Sequence, residues 1–255
     1  VPSFLRTGPT TFLPTEHVGG AWALDEQHVG PSLGLLAHAV EVDRDARRDD
    51  GLVLSRLSYD ILGTMPLEEV EVSVVVRRAG RTIELVEAVL SHAGRPAVQL
   101  RAWLTQAAPT APVAGTDLPR LPPPDETPAW DATTVWPGGF IAAAEVRRSE
   151  QRPGRATVWA RTRVPLLDEP VSPLAATAGL LDIANGMTVR AAPLELAFPN
   201  IDLTAHLFRQ PLGGWLGLDT TVSFGPTGQG LTSSVLHDVD GPWGTLAQSL
   251  TLRPR

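Results

Sequence analysis

The sequence predicts an α+β fold built on antiparallel sheet and duplicated along the chain. Three observations carry that prediction. Between Asn200 and Leu252, four segments of strand-like pattern are separated by turn residues, as a meander of half-buried strands requires. Between Leu52 and Gln106, four more such segments follow a single helical stripe. Finally, the order of elements in the first half (extended pieces, one helix, a meander) returns in the second half.

In chain order, residues 10–24 read as two short extended pieces joined around Gly19-Gly20. The stretch GPSLGLLAHAVEVD follows, with Leu33, Leu35, Leu36, Ala39 and Val40 forming a helical stripe that Gly30-Pro31 opens and the charged run Arg47 to Asp50 closes. Four strands are then expected: LVLSRLSYDIL, EEVEVSVVVRR, TIELVEAVLSH and AVQLRAWLTQ, punctuated at Met65-Pro66, Ala79-Gly80 and Gly94-Arg95-Pro96. Residues 107–139 are proline-rich and without periodicity, so they read as a connector laid across the surface and pinned by Trp130 and Trp136. Strands are expected over Phe140 to Arg148 and Arg155 to Val164. A helix is expected in SPLAATAGLLDIANGM, with Ser172 as its N-cap and Pro173 in its first turn. The last strands are NIDLTAHLF, LGLDTTVSF, LTSSVLHDV and WGTLAQSLTL, with Asp240-Gly241 as the final reversal. This divides the chain into repeats at 1–106 and 140–255 around the connector at 107–139. Local echoes support the division: SHAGRP at 91–96 against HDVDGP at 237–242, and LGTMPL at 62–67 against LFRQPL at 207–212.

Composition narrows the function classes. A chain of 255 residues with 43% hydrophobic content buries a sizeable core. Its net charge is −7, every basic residue other than histidine is arginine, and no basic block occurs. Nucleic acid is therefore not an expected partner, since duplex binding draws on clustered cations. Absence of cysteine removes disulfides, thiolate metal sites and cysteine nucleophiles, and fits a reducing cytoplasm. No apolar run approaches the roughly 20 residues that span a bilayer, and VPSFLRTGPT lacks the apolar core of a signal peptide. The expectation is a cytoplasmic protein with no membrane partner.

Three polar residues stand out in the last meander. Gln248 shares strand parity with Leu246, Leu250 and Leu252, so its amide is expected on their apolar face and in need of partners. Asp202 lies in the first strand and Ser223 at the end of the second, where curvature of the sheet would bring them towards Gln248. The plainer reading leaves Asp202 solvated, Ser223 in a turn and Gln248 bonded to backbone. A second motif competes with these residues. Gly30-Pro31-Ser32-Leu33-Gly34 fits the G-x-S-x-G of a nucleophile elbow, but ALDEQHV before it is a poor buried strand and proline precedes the serine. Close packing of the helix start against a neighbouring strand or a bound ligand explains the glycines better. The six histidines are scattered without metal-ligand spacing, so no metal or other cofactor is expected; His28 stands where it would border a ligand pocket, and His206 shares a strand face with Asp202.

Together, HVGPSLGLLAHAVE, VVRRAGRTIELVEAVLSHAGRP, NIDLTAHLFRQPLGGWLGLDTTVSF and DGPWGTLAQSLTL resemble the double hot-dog acyl-CoA thioesterases, of the thioesterase II type and its actinobacterial relatives. The resemblance covers nearly the whole chain apart from the connector. It implies two hot-dog repeats, each a helix wrapped by an antiparallel sheet, with the faces left open covered by pairing of the halves and further association into homo-oligomers. It also implies an acyl-CoA or other acyl-thioester substrate, hydrolysed by a water that an aspartate, a threonine or serine, and a glutamine direct. Those residues match Asp202, Ser223 and Gln248, with Thr221 in reserve for the hydroxyl. No covalent acyl-enzyme is needed, and backbone N–H groups near Val29 to Ser32 or near Ser172 to Leu174 would polarise the carbonyl. Two other functions remain open at this point: acyl-CoA hydration or dehydration, and binding of acyl ligands without chemistry.

Overall fold

The computed structural model describes all 255 residues. Strands β1 (Phe4–Arg6) and β2 (Thr11–Pro14) precede helix α1 (Val29–Arg47), and the first meander follows as β3 (Leu52–Ile61), β4 (Val70–Arg78), β5 (Ile83–His92) and β6 (Arg95–Gln106). The connector contributes one short strand, β7 (Ala129–Trp130), and helix α2 (Gly139–Ala142) leads into β8 (Ala144–Arg152) and β9 (Arg155–Thr162). Helices α3 (Pro173–Ala178) and α4 (Ala184–Met187) come next, then β10 (Leu196–Ala197). The second meander is β11 (Asp202–Leu207), β12 (Leu216–Phe224), β13 (Gln229–Asp238) and β14 (Gly241–Thr251), and β15 (Arg253–Pro254) closes against β10.

The long strands form one 13-stranded sheet in the order β1-β2-β4-β5-β6-β3-β11-β14-β13-β12-β9-β8-β7. Read outward from the β3–β11 seam, the order is the same in both directions. β6 and β14 flank it, then β5 and β13, β4 and β12, β2 and β9, and β1 and β8. This is the double hot-dog, with a pseudo-twofold between β3 and β11.

The halves meet edge to edge, which corrects the expectation that they cover each other's open faces. β3 and β11 pair antiparallel with Leu57 opposite Ala205, and Ser58 and Thr204 share a hydrogen bond of 2.9 Å beside them. An unpaired edge at the start of each meander is satisfied by its counterpart in the other half, so the seam leaves no free strand edge.

The helices make the second contact between the halves. Leu33, Leu35, Leu36, Ala37 and Val40 of α1 are fully buried, and α1 packs against α3. A side chain on Gly34 would lie 2.8 Å from the Ala175 carbonyl, and one on Gly30 the same distance from that of Gly179. The glycines of G-P-S-L-G are therefore the close-approach surface of α1, but what they approach is α3 and its end at Gly179 rather than a strand or a ligand. Ser32 between them is fully buried within the helix, so it is not presented on a strand-to-helix turn.

Two expectations need correction. Phe140 and Ile141 do not begin a strand. Both are buried and lie in α2, with the Phe140 N–H donating to the Gly19 carbonyl at 3.1 Å, outside any strand ladder. The second helix, expected as one segment, is broken. Ser172 caps α3 as predicted, accepting from the Ala175 N–H at 3.0 Å, but α3 ends at Gly179, and a 3-10 turn (Leu181–Ile183) leads into α4. Glycine is a poor helix residue, and Gly179 gives α1 its close approach.

The connector is held as expected. Trp136 is buried and donates from Nε1 to the Gly186 carbonyl at 2.7 Å, while Trp130 lies on β7 beneath the Arg148 guanidinium, 4.6 Å from its ring centre. No helix is long and apolar enough to cross a membrane.

Candidate active site

A cavity of about 330 Å³ opens where the segment before α1, the end of β3, α2 and the broken second helix converge. Trp22, Ile61, Met65, Ile141, Ile183 and Met187 give it apolar walls, and His28, Asp182 and Asn200 stand among them. An apolar hollow with a few convergent polar groups is the usual form of a small-molecule site.

Asp182 is the most perturbed carboxyl of that wall. It sits in the 3-10 turn between Leu181 and Ile183, 6% exposed, and desolvation pushes its pKa up to about 6. Asn200 opposes that shift by donating from Nδ2 to Oδ1 at 2.7 Å. Gln248 approaches from β14, with Nε2 3.5 Å from the same Oδ1 and 3.4 Å from the Asp182 carbonyl. Both amides thus address one carboxylate oxygen. The other, Oδ2, lies 3.8 Å from Nδ1 of His28.

That approach to His28 is not an ion pair. His28 is the N-cap of α1, and its Nδ1 accepts the Gly30 N–H at 3.0 Å, so the ring proton sits on Nε2. Burial lowers its pKa to about 3, which keeps the ring neutral. It stacks on Phe140 at 4.2 Å between ring centres. Val29, the first residue of α1, lines the cavity beside it, and a residue in that position has no intrahelical acceptor for its N–H. At the other helix start, Ser172 donates to Glu41 at 2.5 Å, and neither residue lines the cavity. Of the two helix termini left open by the sequence, the one at the cavity is that of α1.

The three residues singled out in the sequence do not converge. Gln248 is fully buried and reaches Asp182, as its parity required. Asp202 points the other way: Leu203 and Ala205 take the core face of β11, and the Asp202 carboxylate accepts the Ser249 backbone N–H at 2.6 Å. Ser223 is exposed on β12, opposite the exposed Leu231, and Thr221 shares its outward parity. His206 is likewise exposed. The reason is the period of two. On β11 and β12 the inward positions are held by Leu203, Ala205, Thr220 and Val222, which sends the intervening residues outward.

Sequence reasoning missed Asp182 and Asn200. A signal for Asp182 existed in LAATAGLLDIANGM, where one carboxylate stands in an otherwise uncharged, mostly apolar run, a placement that burial makes costly without partners. Asn200 had no comparable signal. It precedes β11, and only the three-dimensional turn through Pro199 brings its amide to Asp182.

The chain matches models for the N-terminal domain of acyl-CoA thioesterases over residues 18–105 and for their C-terminal domain over residues 115–252. Among solved structures, it is similar to a hot-dog protein of unknown function from Alicyclobacillus acidocaldarius, with a TM-score of 0.76, 14% identity and coverage of 98% of this chain and 96% of that one. It is also similar to the acyl-CoA thioesterase II TesB2 of Mycobacterium marinum, with a TM-score of 0.69, 18% identity and coverage of 99% and 96%. The tesB protein of Mycobacterium avium subs paratuberculosis gives a TM-score of 0.68 at 16% identity over 98% and 96%. No curated protein sequence matches the chain. With both domain models matched in order over most of its length, the chain belongs to the acyl-CoA thioesterase family.

Proposed function

We propose that this protein hydrolyses acyl-CoA thioesters to free acid and CoA, using a water activated directly by Asp182. The observation that carries this reading is the half-satisfied carboxylate. Oδ1 receives the amides of Asn200 and Gln248, and Oδ2 accepts no hydrogen bond at the wall of an apolar cavity.

A general base works best when its pKa lies near the working pH, and burial has moved Asp182 to about 6. Above that pH, Oδ2 takes a proton from water as its oxygen attacks the thioester carbon. The C–S bond of the tetrahedral intermediate then breaks, and the proton leaves with the thiolate as thiol. Asn200 and Gln248 fix the carboxylate and keep one oxygen free for this work. Where the family resemblance implies a hydroxyl, an asparagine amide serves here.

General-base help contributes about 10² to 10⁴ in rate and needs a partner effect. The Val29 N–H at the start of α1 and the Nε2–H of neutral His28 are the donors available to the developing oxyanion, and the helix dipole adds to them. Asp202, Ser223 and Thr221 have no part in this mechanism. The test is thiol release from a panel of acyl-CoAs of increasing chain length, compared between wild type and Asp182→Asn.

A second reading is hydration or dehydration of an acyl-CoA, favoured by the placement of a neutral imidazole, His28, within 3.8 Å of the Asp182 carboxyl. It requires an enoyl or hydroxyacyl substrate and releases no thiol, so the same panel extended with an enoyl-CoA separates the two.

A further inference from the structure

The inward face of β13 breaks the pattern that a core strand should follow. Its inward residues are Thr232, Ser234 and Leu236, all 3% exposed or less, so two of three positions that normally carry aliphatic side chains carry hydroxyls. Departures from local rules in a well-packed sheet concentrate at functional or strained sites. One of the two is accounted for at once: Ser234 bonds to Thr220, its neighbour on β12, at 2.8 Å. Thr232 is not, because its hydroxyl is buried and has no hydrogen-bond partner.

The register identifies its natural partner. Thr232 lies directly opposite Gln248 in the β13–β14 ladder, and both side chains are fully buried. Gln248 is left with a complementary deficit, since Nε2 faces Asp182 while Oε1 has no partner. One residue offers an unused donor and the other an unused acceptor. Directly opposed strand residues hold their Cβ atoms about 5 Å apart, a span that a threonine hydroxyl and a glutamine carbonyl close by side-chain rotation.

We propose that Thr232 is a positioning residue for Gln248: its hydroxyl donates to Oε1 and thereby holds Nε2 towards Asp182. The amide of glutamine is nearly symmetric in shape, so packing alone does not choose which end faces the carboxylate. A flipped amide presents an acceptor to the carboxylate, which repels it. A hydroxyl placed behind the amide makes the choice. Valine has the shape of threonine without the donor, so it removes the choice while filling the same space. The proposal rests on the role given to Gln248 above.

The experiment compares Thr232→Val, Thr232→Ser, Gln248→Ala and the double variant Thr232→Val/Gln248→Ala, using hexanoyl-CoA and octanoyl-CoA. Thr232→Val is expected to lower kcat about tenfold with KM within twofold of wild type. Thr232→Ser restores kcat to within about twofold, and the double variant is no slower than Gln248→Ala alone. A readout independent of turnover is the Asp182 carboxyl titration followed by ¹³C NMR. Its midpoint rises in Thr232→Val, which loses a donor at Oδ1, and returns in Thr232→Ser. Wild-type kcat and an unmoved midpoint in Thr232→Val overturn the proposal, as does a further tenfold loss when Thr232→Val is added to Gln248→Ala. If Gln248→Ala itself hydrolyses at the wild-type rate, the role of Gln248 falls; if it is impaired while Thr232→Val is not, only the positioning by Thr232 falls.

Discussion

Asn200 donates to one oxygen of Asp182 at 2.7 Å and leaves the other to the cavity. That bond lowers the pKa of the carboxyl while burial raises it, and burial prevails. Asn200 is the closer of the two amide donors on that oxygen, at 2.7 Å against 3.5 Å for Gln248, so removing it takes away the stronger opposing influence. In Asn200→Ala the acidic limb of the kcat/KM profile should therefore move above its wild-type position near pH 6, by roughly one unit for a hydrogen bond to a charged group. The pH dependence of thiol release measures it directly; an unmoved limb would mean that Asn200 does not bond the titrating group.

Asp182 also predicts a stability that runs against activity. Its folded-state pKa, about 6, exceeds the ordinary value of 3.8, so the native protein holds that proton more tightly than the unfolded chain. The unfolded state ionises first as pH rises, and this contribution to stability is full below about pH 4 and lost as pH rises through 6. Asp182→Asn escapes the loss. It should be more stable than wild type at pH 8 by about 2–3 kcal/mol, with little difference at pH 4. Denaturant unfolding at the two pH values checks both the sign and the disappearance.

The helix contact gives a separate expectation. A methyl group on Gly34 would meet the Ala175 carbonyl at 2.8 Å and the Gly179 nitrogen at 3.0 Å, with backbone on both sides and no flexible side chain to yield. Gly34→Ala should destabilise the fold by about 1–3 kcal/mol, the usual effect of overpacking, visible as a lowered Tm. Ser32→Ala, two residues away, removes a buried hydroxyl that has no partner, and should leave both Tm and turnover near wild type. Loss of turnover in Ser32→Ala with the fold intact would revive the nucleophile-elbow reading.

These particulars show what was legible in the sequence. Strand and turn patterns fixed the two meanders because each strand has one buried face, and alternation records that directly in Val70 to Arg78 or Leu246 to Leu252. The same rule identified Gln248, whose parity with Leu246 and Leu250 demanded a buried amide. Asp202 is expected near Gln248 through curvature of the sheet, but the inward positions of β11 belong to Leu203 and Ala205, and curvature does not bring an outward side chain to the core face. Strand order across the β3–β11 seam joins residues 146 apart at Ser58 and Thr204, and no local pattern encodes such a pairing. Asp182 was hidden by the assumption of a continuous helix. Only the break at Gly179, imposed by contact with α1, turns that carboxylate towards β14 and the cavity.

The choice between Asp182 and Asp202 is the most direct test of the account. Thiol release from a panel of short, medium and long acyl-CoAs should be measured with wild type, Asp182→Asn and Asp202→Asn side by side. Wild type should release thiol, Asp182→Asn should lose about 10² or more of that rate, and Asp202→Asn should stay near normal. Retained turnover in Asp182→Asn, with its loss in Asp202→Asn, would contradict the assignment of Asp182 as the base.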